Sequence, residues 1–152
     1  MTYTTAEGRQ QLLDTIAEAV EQLGVALAAL SELYELLDER SADVAEEQLF
    51  HPVQAAYGRL RRAHSGFAER HELAARTFAP PIAGAPSHGV KGFLENAVNS
   101  IAQADRLLAD LQDSMLPVEV GDQQLRADLE QVRSSLGGLG LRARELERTL
   151  GR

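Results

Sequence analysis

An all-α protein is what this sequence predicts: a four-helix bundle of long helices, joined up-and-down or with one crossover loop. Three observations carry that expectation. Four separate stretches place apolar residues at alternating steps of three and four, the spacing of a helix that faces other helices. β-branched runs are missing, and residues that favour helix dominate throughout. The 152 residues suffice for a core without disulfides or metals, so a single domain over 1–152 is expected.

The first stripe runs Leu13, Ile16, Val20, Leu23, Leu27, Leu30, Tyr34, Leu37. Thr4, with Glu7 three residues on, forms a capping box, so a helix over about 5–40 is expected. The second stripe is out of phase with the first, which requires a turn between them. Ser41 is the candidate N-cap there, and Asp43, Glu46 and Glu47 complement the helix dipole.

That second stripe reads Phe50, Val53, Tyr57, Leu60, His64, Phe67, His71, Ala74, Phe78. Its phase survives across Pro52, which lacks a backbone donor and disfavours helical geometry at His51. A helix over 42–78, kinked near Pro52, is therefore expected. Pro80, Pro81, Gly84 and Pro86 mark a loop long enough to permit a crossover.

Ser87 can cap a third helix over 88–115, with Val90, Leu94, Ala97, Ile101, Ala104, Leu108, Leu111 and Met115 as its seam. Met115 to Gly121 connects to the last helix, which Asp122 caps. Leu125, Leu129, Val132, Leu136, Leu139, Ala143, Leu146 and Leu150 stay in phase across Gly137, Gly138 and Gly140. A continuous helix over 122–150 is expected in spite of those glycines, each of which costs about 1 kcal/mol relative to alanine.

Composition narrows the function classes. Cysteine is absent, which rules out disulfides, thiolate metal sites and cysteine nucleophiles. The start of the chain has no basic region leading into an apolar run, and no apolar run approaches membrane-spanning length, so a cytoplasmic protein without membrane contact is expected. A net charge of −8 argues against nucleic acid as a partner. One lysine (Lys91) against fourteen arginines, with abundant alanine, matches the residue usage of a GC-rich bacterial genome.

Two of the stripe residues, His64 and His71, are the features inside the expected core with chemistry to offer. A buried imidazole must be neutral or partnered, so each calls for a reason. They stand seven residues apart, about 10.5 Å along a helix, whereas a shared metal wants two ligands three or four residues apart. The Glu-x-x-His motif of di-iron bundles is missing too: Gln48, Arg61, Ala68 and Ala85 precede the four histidines by three. No metal, no cofactor and no catalytic set is therefore expected. The structural expectation is that each histidine closes a packing layer and bonds a carbonyl, a tyrosine or a water. The functional one is a ligand-binding site inside the bundle built on His64, His71, Tyr57 and Tyr34.

The string from Arg59 to His64 resembles the Arg-x4-6-His signature of HEPN-type ribonucleases, which also use helical bundles and usually place their site at a dimer interface. The resemblance covers six residues. It implies His64 as general acid or base on an RNA 2′-hydroxyl, with Arg59 steadying the phosphate. Leu60 stands where that signature usually has a polar residue, and five residues on one straight helix separate two side chains by about 140°, so the pair would not meet within the chain.

Charge is distributed unevenly. From Glu7 to Arg40 six Glu and two Asp face two Arg, a net of −6; from Ala55 to Phe78 five Arg face two Glu, a net of +3. Complementary neighbouring helices are the structural reading. An anion site around Arg59, Arg61, Arg62, Arg70 and Arg76 is the functional one, but arginines spanning this much helix point in several directions. Ser87 to Gly92 opens a helix with two glycines and the lysine, where free amides favour an anion, without the spacing of a phosphate-binding loop.

Every stripe is thus accounted for by packing. The function expected is a non-enzymatic interaction or assembly bundle, self-associating as a homodimer or regulating a protein partner. Leu12, Leu33, Leu36, Val98, Leu107 and Leu141 flank the seams, a surplus that completes the core or forms a dimer face.

Overall fold

The computed structural model describes residues 5–79 and 89–150. Its helices are α1 (Thr5–Leu36), α2 (Glu39–Ala45), α3 (His51–Arg70), α4 (Gly89–Asp113), α5 (Leu116–Val120), α6 (Gln123–Leu136) and α7 (Leu139–Leu150), with a π-helical turn over Glu46–Phe50 joining α2 to α3. The fold is an all-α helical bundle of four long rods: α1, the α2–α3 run, α4, and the α6–α7 run.

α1 packs along α3 and α4, while α6 packs along α3 and α4 and α7 along α4. That puts α3 and α4 at opposite corners. Neighbours run antiparallel. Arg70 and His71, where α3 ends, meet Asp122, where α6 begins, and Arg59 reaches Gln131 further along. Gln11, Thr15 and Glu18 of α1 share a groove with Leu107, Asp110 and Leu111 of α4. The start of α4 lies beside the end of α7. The connection from α3 to α4 therefore crosses between opposite corners and opposite ends, the crossover alternative of the two topologies expected. Arg133 of α6 ties the second pair of rods, donating to Asp105 at 3.0 Å and Gln112 at 2.9 Å on α4.

The four seams fill the centre. Leu13, Ile16, Val20, Leu23 and Leu33 of α1 are buried against Val53, Leu60 and Phe67 of α3, Leu94, Ala104 and Leu108 of α4, and Leu125, Leu129 and Val132 of α6. Burying a leucine or valine contributes about 1.5–3 kcal/mol, so this seam set is what holds the rods together.

Four local expectations are corrected. The second rod begins earlier: Asp38, not Ser41, is the N-cap, and its carboxylate accepts from the Ser41 amide at 2.7 Å. At Pro52 the chain widens by a π-turn, which relieves the clash between the proline ring and the preceding turn without breaking the rod. The last rod is not continuous. Gly138 takes a left-handed φ of +85° and splits it into α6 and α7, although Leu136, Leu139 and Ala143 all remain buried. The proposed caps Thr4 and Ser87 lie outside the described residues.

The fourth correction matters most for the site. α3 ends at Arg70 rather than near residue 78. Leu73 N–H donates to the Ala68 carbonyl at 2.8 Å and Glu72 N–H to that of Glu69 at 3.3 Å, a Schellman ending with Glu72 in the left-handed position at φ 55°. Leu73 then packs against the core, as this motif favours. Ala74 is exposed, and the chain runs back as a strap across α3 and α1. A non-glycine residue in this conformation costs about 1 kcal/mol, so Glu72→Gly is expected to raise the unfolding free energy by about 0.5–1 kcal/mol after its greater unfolded-state entropy is counted. Urea denaturation of the variant checks the sign; a destabilised Glu72→Gly would show that the glutamate side chain itself holds the turn.

Candidate functional site

His64 sits on the inner face of α3, between the layers of Leu60 and Phe67, and has no exposed surface. The strap covers it from outside. The Phe78 ring stands edge-on to the imidazole, with centroids 5.1 Å apart and planes at 74°. Arg76 holds the strap to α1 through Glu21, at 3.0 Å. Neither ring nitrogen of His64 meets a hydrogen-bond partner among the described residues. Burial pushes its pKa below the ordinary value of 6.5, and the Arg76 charge pushes the same way, against a smaller opposite pull from Asp14 on α1. His64 is therefore a buried imidazole whose neutral form is favoured. Of the partners expected for it, a carbonyl, a tyrosine or a water, neither a carbonyl nor a tyrosine bonds it among the described residues.

His71 has a different setting. It is the C-cap of α3, no longer on a helical seam, and its ring lies 4.4 Å from that of Phe67. Its Nε2–H donates to Asp122 Oδ2 at 2.8 Å. The same carboxylate accepts from Arg70 Nε and Nη2, both at 3.0 Å, and from the Leu125 amide at 2.8 Å, which makes it the N-cap of α6. The Asp122 side chain is 5% exposed. Burial raises its pKa, but Arg70, the Leu125 amide and His71 together outweigh that and hold the carboxyl below its ordinary value. One carboxylate thus binds the end of α3 to the start of α6.

The remaining candidates lie elsewhere. Tyr57 is half-buried with the Arg61 guanidinium over its ring. Tyr34, 38% exposed, lines a groove of about 310 Å³ with Ser31, Glu35, Glu46 and Phe50 where α1 ends. Arg59 points outward from α3 to the Gln131 side-chain carbonyl on α6, while His64 points inward under the strap. The structure does not bring Arg59 and His64 together within the chain, nor does it gather His64, His71, Tyr57 and Tyr34 around one cavity. No group of three or more residues with metal-ligating side chains comes together among the described residues. Ser87 and His88 lie outside the described residues, while Lys91 lines a cleft of about 670 Å³ with Arg144, Arg148 and three apolar side chains between α4 and α7.

Sequence reasoning missed Asp122 as the partner of His71. It looked for carboxylates on the seams, whereas Asp122 precedes the fourth seam as a cap. The usable signal was positional: a capping aspartate at the start of one rod faces the end of its antiparallel neighbour, where Arg70 and His71 stand. Phe78 was read as a seam residue and is instead the strap's cover over His64.

No helix among the described residues is long and apolar enough to cross a membrane. Comparison with protein-family models, curated proteins and solved structures gives no match. The class that fold and site define is a crossover helical bundle with an aspartate-centred staple at one end.

Proposed function

We propose that this chain is a non-enzymatic interaction and assembly bundle that works as a homodimer in the cytoplasm. The observation that carries the reading is how the surplus apolar residues sort. Leu12 and Leu33 are fully buried, and Val98 and Leu107 pack half-buried on the core. Leu36 and Leu141 are left 52% and 60% exposed. Val44, on α2, is 44% exposed. Leu36, Val44 and Leu141 belong to one end of the bundle, since the α1–α2 turn leads into the π-turn and α7 packs against that turn. Met115 and Val118, 53% and 47% exposed, form a smaller pair at the other end. Large apolar side chains held outside a completed core at one end of a molecule favour covering by another surface. A second copy provides that cover by two-fold symmetry, the commonest arrangement of soluble oligomers.

Two polar groups between the rods support the same reading, because the fold already uses them: Asp122 caps and staples, and Arg133 bridges two rods. Sedimentation equilibrium tests it. The wild-type protein is expected at twice the monomer mass, and a Leu36→Glu/Leu141→Glu variant at the monomer mass with unchanged helix content. A wild-type monomer at every soluble concentration would sink the homodimer, and a variant that stays dimeric would move the interface away from this end.

A further inference from the structure

Two surfaces at the same end of the bundle are opposite in charge, and each has an apolar centre. The first is the corner between α1 and α2. From residue 32 to residue 47 seven carboxylates stand against Arg40, a net of −6. The exposed Leu36 lies among them, with Glu32 one turn before it on the same face of α1 and Glu35 beside it. Glu46 pairs with His51 and Asp38 caps α2, but the other five carboxylates form no ion pair among the described residues.

The second surface is the cleft between the start of α4 and the end of α7. Leu94 is its buried floor, with Val90 and Leu150 half-buried beside it. Lys91, Arg144 and Arg148 stand exposed around that floor, and Glu147 is the acid among them. None of the three cations forms an ion pair among the described residues. Leu141, Arg144 and Arg148 follow one another on one face of α7 at steps of three and four, so the exposed Leu141 extends the same surface. Because α1 and α4 run antiparallel, the end of α1 stands beside the start of α4, and corner and cleft share one end of the bundle.

We propose that the α4–α7 cleft takes the α1–α2 corner of a second copy of this chain. Leu36 of one copy covers the apolar floor of the other, and the corner's carboxylates meet the cations around it. The inference rests on the homodimer reading and gives that dimer its contact. A corner of net −6 facing its own equivalent would repel it, and the whole chain carries −8, so a contact at this end is favoured when it sets acid against base. A two-fold axis passing between corner and cleft does this twice, since each copy gives its corner and receives the other's. Both surfaces are apolar at the centre and ionic around it, which is the anatomy of an interface core and its rim.

Sedimentation equilibrium of charge-reversed full chains tests the contact. Lys91→Glu/Arg144→Glu reverses the cleft, and Glu32→Lys/Glu35→Lys reverses the corner. All four side chains are exposed, and an acid at the start of α4 or a base towards the end of α1 suits the helix dipole, so thermal melts should show the fold kept. Each variant alone is expected to dimerise about a hundredfold more weakly than wild type, because both contacts of its dimer then set like charges together. Mixed in equal amounts, the two variants should recover a dimer of wild-type affinity, since in the mixed pair both contacts again oppose acid and base. Variants that dimerise as wild type does overturn the contact and leave the homodimer standing on another surface. A loss in both variants that mixing does not restore also overturns it, because corner and cleft then do not meet each other. A wild-type monomer at every soluble concentration overturns the homodimer, and this contact with it.

Discussion

Asp122→Ala is expected to lower the unfolding free energy by about 2–3 kcal/mol, and the melting temperature by about 4–12 °C for a chain of this size. Loss of an N-cap aspartate costs about 1 kcal/mol. His71, whose side chain is 15% exposed, loses the acceptor for its Nε2–H, and a part-buried donor left unmatched costs a further 1–2 kcal/mol or so. Arg70 adds little, because its side chain is 38% exposed and water replaces the carboxylate. The pH dependence follows from the direction of the Asp122 shift. Its folded pKa lies below the ordinary 3.8, so the stabilisation is fully present above pH 3.8 and is lost as pH falls through the folded value. Urea titrations of wild type and variant should therefore differ at neutral pH and converge in strong acid. A variant as stable as wild type at neutral pH would mean that the crossover geometry, not the carboxylate, fixes the α3–α6 corner.

How much of this was legible in the sequence depends on whether the signal was periodic or positional. The seams were readable because each repeats over about seven turns, and Leu13 through Leu23, Leu94 through Leu111 and Leu125 through Leu146 are buried as their phase requires. Towards the end of α1 burial drifts off the stripe, from Leu27 and Tyr34 to Ala26 and Leu33. Asp122 was legible as a cap, since an aspartate three residues ahead of Leu125 is a local pattern. The end of α3 was not. His71 to Phe78 contains Ala74 and Ala75 and keeps the stripe's spacing, so propensity continues the helix. Tertiary contacts decide otherwise, through Leu73 against the core and Phe78 against His64, and they draw Glu72 into a conformation that glycine would ordinarily announce. At Gly137 and Gly138 the error ran in the same direction: seam phase carried through the glycines while the backbone turned.

The arginines show the same division. Counting charge from Ala55 to Phe78 identifies a basic segment, and complementary pairing with α1 was its expected use. Of that pairing the structure shows Arg76 with Glu21 among the described residues, while Arg61 goes to an aromatic ring and Arg59 and Arg70 reach Gln131 and Asp122. Which arginine joins which set depends on where α3 stops and on the register of α6, neither of which the local sequence encodes. The candidate histidines part for the same reason. His64 and His71 share a stripe in one dimension, but the helix ends between them, leaving one buried under the Phe78 ring and the other held by a carboxylate.

His64→Leu is expected to stabilise the protein by about 1–3 kcal/mol at neutral pH. The imidazole is fully buried with both nitrogens unpartnered among the described residues, and a polar group desolvated without a hydrogen bond costs about that much. Leucine is of similar size and adds apolar contact with Phe78 and Phe67 in place of that cost. The pH series carries the stronger signature. In the folded protein burial and Arg76 keep His64 neutral below the pH at which an unfolded histidine takes up its proton, near 6.5. The unfolded state therefore binds more protons, so wild-type stability falls as pH drops below 6.5, by up to about 1.4 kcal/mol per pH unit until the folded pKa is reached. His64→Leu removes that slope and leaves the carboxylate losses at lower pH in place. Phe78→Ala should reduce the slope by a different route, since lifting the strap's ring off the imidazole lets water solvate the charged form. Stability measured in urea from neutral pH down into the carboxylate range separates the two cases. If His64→Leu is destabilising, then His64 has a polar partner in solution and the centre of the bundle becomes a binding site after all; a slope that persists in His64→Leu would mean that another group carries the pH dependence.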